Sequence, residues 1–407
     1  MISVAEAHKV IQDRIRSPEA ETVKVNDATG RVLAHEIVAT FPQPRFDNTA
    51  MDGFAVRARD TIGASADLPV TLSMKGVIPA GSSADTVIGK GECCQIMTGA
   101  PMPEGADAVV MVEDSSGFGD SSSVDISREV VEKENVRYSG EEIAEGETLI
   151  HPGNRLGAGE IGVAATFGYG ELEVYRRPNI ALFATGDELI EPGEELKPGQ
   201  IYNSNLHVFA ELSERVGTLI TMQRVLKDSR ESLKDFLSEA IEKSNLIVSS
   251  GGVSMGKHDY VREVFLELGV KEYFWKVAQK PGRPLFFGES GGTLIFGLPG
   301  NPVSSFTCFM EYVWPTCERF MGLTPINKVT ARLLESFPQE TEKRRYLLGH
   351  VEMDGREMVA KPSGKYGSHM FTSALMANAI LESPRGEGPL KPGQEITVRL
   401  LPWSELQ

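Results

Sequence analysis

The chain is 407 residues long, with 41% hydrophobic and 24% charged residues and a formal net charge of −16. At about 150 residues per domain this suggests two to three domains, and the composition excludes disorder as the dominant state. Such an acidic surface repels nucleic-acid phosphate and anionic lipid, and no apolar run reaches the ~18 residues of a membrane span, so neither nucleic acid nor membrane is an expected partner.

In chain order, Ser3-x-x-Glu6 has the form of a capping box, and Val4, Ala7, Ile11 and Ile15 follow on one helical face. The acidic, amphipathic start has no signal-peptide apolar stretch, and the expected location is cytoplasmic. Cys93, Cys94, Cys308 and Cys317 lack C-x-x-C spacing, so reduced thiols and no thiolate metal site are expected. After Phe41-Pro42-Gln43-Pro44, short β-like runs separated by Gly, Pro and Ser extend to about residue 140. Turn residues crowd again over 141–172, and Arg176-Arg177-Pro178 marks a boundary.

The texture then changes. Ile180 to Ala184 is a continuous apolar run, as in a strand covered on both faces. Leu206, Phe209, Ala210 and Val216 are in helical phase, with Gly217 as a stop. Leu219–Leu226 reads as a strand. Asp228-x-x-Glu231 offers an N-cap for a helix through Leu233, Phe236, Leu237, Ala240 and Ile241. Leu246 to Val248 is a strand, Val261 to Leu268 a helix, and Leu285 to Phe287 and Thr293 to Phe296 are strands. A helix from Pro302 is expected to break at Trp314-Pro315. This alternation argues for a doubly wound, mostly parallel sheet, and a small β domain closes the chain after residue 323.

In such sheets ligands bind beyond the carboxyl ends of the strands. Ser249-Ser250-Gly251-Gly252-Val253-Ser254 reads either as a plain turn or as a loop whose N–H groups and hydroxyls face an anion. Asp259 is then either a helix cap or a contact to that loop. Leu298-Pro299-Gly300-Asn301-Pro302-Val303-Ser304 turns sharply into a helix whose first turn favours anions. Lys280 and Arg283 flank Pro-Gly as a charge clamp. Asp187, Glu188 and Asp228 are carboxylates of the kind that hold Mg²⁺ beside phosphate, although Asp228 is equally a helix cap. Histidine spacing shows no H-x-x-x-H or H-E-x-x-H, which argues against a zinc hydrolase. The residues alone thus point to an anionic, phosphate-bearing ligand with Mg²⁺.

Four segments resemble one family, the molybdopterin molybdenumtransferases: Phe46 to Val56; Met97 to Pro103 with Gly105 to Val110; Ser249 to Ser254 leading to Asp259-Tyr260; and Gly297 to Ser304. The resemblance implies an α/β multidomain homodimer: a linker and dimerisation domain at 1–44 and 141–175, a β-rich lateral domain at 45–140, the α/β domain at 176–322 and a C-terminal β-barrel-like domain at 323–407. It implies a Mg²⁺-assisted transferase that takes adenylylated molybdopterin and molybdate, inserts molybdenum and releases AMP, with the molybdopterin adenylyltransferase as supplier.

Carried onto this sequence, the resemblance assigns oxyanion or phosphate charge to Lys280, Arg283 and Ser304. The nucleotide or pterin phosphate falls to Asp228 and the loop of Ser249, Ser250, Gly251, Gly252 and Ser254, with Asp259 beside it. Pro299, Asn301 and Pro302 shape the substrate turn. Asp187 and Glu188 orient Mg²⁺ or polar pterin atoms, and Asp52 and Thr98 reach the cleft from the partner subunit. Gly367 to Phe371 resembles the family's bacterial form and adds Ser368. The family places an Arg two residues after an aromatic in its last domain, where this chain has Tyr346-Leu347-Leu348, preceded by Arg344-Arg345. The competing readings are a molybdopterin adenylyltransferase, a non-enzymatic scaffold of the same fold, and simple oxyanion storage.

Overall fold

The structure, a computed structural model, describes residues 1–83, 85–252, 260–325 and 328–404. The chain divides into two compact units, one of Met1–Ala34, Pro152–Gly157 and Glu171–Gln407, the other of His35–His151 and Ala158–Gly170.

The larger unit opens with the helix Val4–Gln12. Glu6 N–H donates to Ser3 Oγ at 3.2 Å and Ser3 N–H to Glu6 Oε2 at 2.7 Å, the reciprocal capping box expected. Val4, Ala7 and Ile11 are the face it buries.

Its main sheet has six strands in the order Leu219–Leu226, Asn179–Thr185, Leu246–Ser250, Thr293–Leu298, Pro284–Ser290, Lys271–Lys276. The first four are parallel and the last two add an antiparallel edge. Successive residues of the Asn179 strand serve opposite faces, as strand geometry requires. Leu182 packs with Val248, Phe296 and the helix Asn205–Val216. Phe183 packs with Ile247, Ile295 and the helix Arg230–Lys243. Both faces being covered, the strand reads as an unbroken apolar run. From the Asn179 strand the chain crosses to one side and then returns to the other, so strand order reverses between Asn179–Thr185 and Leu246–Ser250.

Two expectations are corrected. The cap of the helix Arg230–Lys243 is Ser229, whose side chain accepts from Ser232 N–H at 3.3 Å. Asp228 stands one residue outside and does not cap. The helix from Pro302 does not end at Trp314-Pro315 either. Pro302–Cys308 runs into a π-turn, Phe309–Val313, and then into the helix Trp314–Phe320. Pro315 has no N–H to donate into the preceding turn, and it directly follows the wider π-turn, where Trp314 N–H reaches back to Phe309 O, so the run passes the proline without ending.

The C-terminal strands Val329–Leu333, Arg344–Asp354, Glu357–Pro362, Ala379–Ser383 and Glu395–Leu400 close into a five-stranded barrel, because Arg344–Asp354 pairs with both Glu357–Pro362 and Ala379–Ser383. Leu333, Leu347, Val351, Leu381 and Val398 fill it. The short strand Gln279–Lys280 joins in parallel, with Gln279 opposite Arg344 and Lys280 opposite Arg345. This pairing sews the α/β half of the unit to the barrel. Glu311, in the π-turn, is buried there against Lys328 Nζ and His8 Nε2, both at 2.9 Å, and Arg399 at 3.2 Å.

The smaller unit holds a five-stranded sheet in the order Ala108–Met111, Gly53–Val56, Glu92–Ile96, Val70–Ile78, Ser123–Ile126. Short strands with frequent turns, as its sequence texture suggested, are its dominant structure.

Candidate functional site: two adjoining clefts in the larger unit

A cleft of about 750 Å³ opens at the carboxyl ends of the parallel strands, at the point of strand-order reversal. Gly251 and Gly252 both have positive φ, +84° and +69°. A Cβ on Gly252 would stand 2.1 Å from Val261 Cγ2, so only glycine lets this turn pack against the helix Tyr260–Glu267. Ser250 lines the cleft, whereas Ser249 is fully buried in the strand and does not, since neighbouring strand residues face opposite ways. Asn205 ties the two strand-end loops together, donating through Nδ2 to Ser250 Oγ at 2.7 Å and to Gly300 O at 2.8 Å. Pro299, Asn301, Pro302 and Ser304 form one wall.

The carboxylates gather on another side. Glu188 and Asp228 line the cleft, and Asp228 N–H lies 3.4 Å from Asp187 Oδ1. Among the described residues no three His, Cys, Asp or Glu side chains converge as a closed metal cage. Mg²⁺ needs no such cage: it binds through one or two carboxylates, substrate phosphate and water, and Asp187, Glu188 and Asp228 fit that chemistry.

A second cleft, of about 460 Å³, shares Pro284, Asn301, Ser304 and His369 with the first and continues it toward the barrel. Its lining brings together Lys280, Arg283, Lys343 and Arg345 in a chain of net charge −16. The Lys280–Arg283 turn is braced from below by Gln279, fully buried, whose Nε2 donates to Gly282 O at 3.0 Å and whose Oε1 accepts from the Tyr312 hydroxyl. Gly282 takes φ +85°, and a Cβ there would stand 2.5 Å from Cys308 Sγ. Ser368 closes the far side, accepting from Asn301 Nδ2 at 3.2 Å while its carbonyl accepts Val303 N–H at 3.0 Å. Lys280 Nζ is 2.5 Å from Glu340 Oε1. The hydrogen bond from Lys280, aided by the charges of Arg345 and Lys343, holds the Glu340 carboxyl below the usual carboxylate range.

Three family models cover this chain almost end to end: MoeA N-terminal region (domain I and II) over residues 2–168, a probable molybdopterin binding domain over 181–319, and MoeA C-terminal region (domain IV) over 330–401. A molybdopterin molybdenumtransferase of Staphylococcus epidermidis is 34% identical over 98% of this chain and 95% of its own length. The chain belongs to the molybdopterin molybdenumtransferase family. One from Staphylococcus aureus strain Mu50 is 33% identical with the same coverage. Among solved structures, a molybdopterin biosynthesis moeA protein from Pyrococcus horikosii superimposes with a TM-score of 0.85 at 33% identity, covering 98% of this chain and 99% of that one.

Within the family framework, the remaining sequence-predicted residues fall as follows. Asp52 and Thr98 are in the smaller unit, both exposed, and Asp52 Oδ1 accepts the Thr98 backbone N–H and hydroxyl, each at 2.7 Å. The backbone hydrogen bond first and the hydroxyl second hold the Asp52 carboxyl below its ordinary range. Ser254 and Asp259 lie outside the described residues. Leu348 is buried with Tyr346 and Ile380 in the apolar cluster behind the barrel wall and does not line the cationic cleft. All four cysteines are free and buried, and burial pushes the Cys93 thiol up to about 12.

Sequence reasoning missed Asn205, Lys343, Glu340 and His369. Asn203-Ser204-Asn205 before an apolar-periodic run signals a helix start, which hides the loop-bridging place of Asn205 in the cleft behind a capping pattern. Lys343 and Glu340 sit in a charged loop that looks like ordinary solvated surface until the barrel folds it over the Lys280 turn.

Proposed function

We propose that this protein is a molybdopterin molybdenumtransferase: it takes adenylylated molybdopterin and molybdate, transfers molybdenum to the dithiolene and releases AMP. The observation that carries this reading is the continuity of the two clefts. A glycine- and amide-lined recess, with Glu188 and Asp228 on one side, is suited to a nucleotide and pterin phosphate with Mg²⁺, and it runs into a recess lined by four cations suited to an oxyanion. Two anionic reactants repel each other in water, and the cationic recess offsets that repulsion while fixing their approach.

In this reading Lys280, Arg283 and Ser304 hold molybdate or the transferring oxyanion, with Ser368 and Asn301 at the rim. Ser250, Gly251, Gly252 and Asp228 hold the nucleotide or pterin phosphate side, to which Ser254 and Asp259 are also assigned. Pro299 and Pro302 stiffen the turn, so less entropy is lost on binding. Asp187 and Glu188 would hold Mg²⁺, which when bound supplies charge neutralisation at the phosphoanhydride. Cleavage of that anhydride depends on alignment and charge, and no serine–histidine nucleophile is required. Asp52 and Thr98 are assigned to the same reaction. A cytoplasmic homodimer, supplied by the molybdopterin adenylyltransferase, completes the proposal; among the described residues no helix is long and apolar enough to cross a membrane.

The test is direct. Purified protein is incubated with adenylylated molybdopterin and molybdate, with and without Mg²⁺. AMP release together with formation of active cofactor is the expected result. Absence of both overturns the reading, and full activity after exhaustive chelation overturns the Mg²⁺ assignment.

A further inference from the structure

We infer that Arg345 is an oxyanion-binding residue of the cationic cleft and that Glu340 is its displaceable counter-ion; this rests on the reading above that the cleft receives an oxyanion. Arg345 is only 5% exposed yet lines the cleft. It is the register partner of Lys280 across the parallel pair Gln279–Lys280 and Arg344–Asp354, which turns both side chains to the same side of the ladder. Its Nε–H is buried and, among the described residues, has no hydrogen-bond partner. The nearest carboxylate, Glu340, stands 3.6 Å from Nη1, outside hydrogen-bond reach, and is committed to Lys280 at 2.5 Å.

A guanidinium so deeply buried is expensive unless a partner takes its fork of donors. Burial indeed lowers the Arg345 pKa, against the opposing pull of Glu340. The adjacent Arg344 has found such a partner in Glu382. Arg345 has not, and what it faces is open volume lined by three more cations. A tetrahedral dianion would present two oxygens to that fork and replace the single carboxylate now stretched between Lys280 and Arg345. Glu340 thus keeps the cleft from being an unscreened cluster of positive charge before the ligand arrives, and it competes with the ligand for Lys280.

The test measures molybdate binding calorimetrically to the full chain without nucleotide, with thermal unfolding of each variant alongside. Arg345→Gln is expected to weaken molybdate about tenfold or more, the scale of losing a charge-assisted hydrogen-bond pair. Arg345→Lys keeps the charge without the fork and is expected to fall between, which serves if the glutamine variant does not fold. Glu340→Gln is expected to bind molybdate more tightly than wild type. In the AMP-release assay Arg345→Gln should raise the KM for molybdate with little change in kcat. If wild type binds molybdate and both Arg345 variants bind it equally well, the role of Arg345 is wrong while the reading of the cleft stands. A lower melting temperature with unchanged molybdate affinity makes Arg345 structural and overturns the inference. Unchanged or weakened affinity in Glu340→Gln removes the counter-ion role. No molybdate binding by folded wild type overturns the reading of the cleft and this inference with it.

Discussion

The two clefts of the larger unit meet at Asn301, Ser304 and Pro284, yet they are built by different means. The first belongs to an open sheet, and its lining is backbone, amide, hydroxyl and the carboxylates of Glu188 and Asp228, from loops that follow neighbouring strands. The second lies where a closed barrel abuts that sheet, and its character comes from Lys280, Arg283, Lys343 and Arg345 on long side chains. An open sheet presents strand ends, hence dipoles and close backbone approach. The barrel contributes charge instead, from Arg345 at the start of the strand Arg344–Asp354, where the short strand of Lys280 pairs with it, and from Lys343 in the loop just before. Shape is thus held by the first cleft and charge by the second.

That contrast can be broken at the join first. Glu311→Gln strips the anion from His8, Lys328 and Arg399 and is expected to lower stability by about 3 kcal/mol, read by urea unfolding. Burial opposes ionisation of Glu311, but the His8 hydrogen bond and the charges of Arg399 and Lys328 prevail and keep its carboxyl well below the usual range. With the folded pKa depressed, the stabilisation is complete above an unfolded pKa of about 4.3 and lost as pH falls through the folded value. The variant should therefore have a flatter acid limb below about pH 4.3 than wild type. An unchanged acid limb would remove Glu311 from the seam.

Next comes the charge cleft. Lys280→Ala is expected to slow molybdenum insertion roughly fiftyfold while moving stability by less than about 1 kcal/mol, because its ion pair with Glu340 is half exposed. An unchanged rate would refute the clamp. The shape cleft is sharpened by Gly252→Ala, whose Cβ would collide with Val261 in a left-handed backbone. A loss of about 2 kcal/mol in unfolding free energy is expected, together with weakened AMP binding. Normal AMP affinity in that variant would detach the glycine loop from the nucleotide. The smallest effect separates cap from ligand: Ser229→Ala should lose about 1 kcal/mol, whereas Asp228→Asn should keep its melting temperature and shift the Mg²⁺ dependence of AMP release. The opposite pattern would return Asp228 to a structural role.

Much of this was legible before folding. The apolar run at Ile180 to Ala184 and the phased Leu233, Phe236, Leu237, Ala240 and Ile241 specify their elements locally, because burial on both faces or on one stripe leaves a period in the chain. Gly217 ends its helix with φ +104° as its position suggested. The cap at Asp228 was misplaced by one residue, since Asp228 and Ser229 are both good capping types and the choice depends on where the preceding strand releases the backbone. The supposed break at Pro315 failed because a π-turn, invisible in composition, accommodated the proline. Ser249 and Ser250 were indistinguishable as letters, and only strand phase decides that Ser250 meets the cleft.

The amino-acid order by itself determined the loops: glycines and prolines fix which backbone conformations are open to residues 250–252, 281–284 and 299–302, and those constraints act over neighbouring residues alone. Which cations join Lys280 and Arg283 was decided only by tertiary structure. Lys280 meets Arg345 through a parallel pairing between distant segments, Glu340 and Lys343 are carried over the turn when the barrel closes, and Leu348 is withdrawn into an apolar cluster. Charge interactions depend on distance in space, and no local pattern records the register between strands so far apart along the chain.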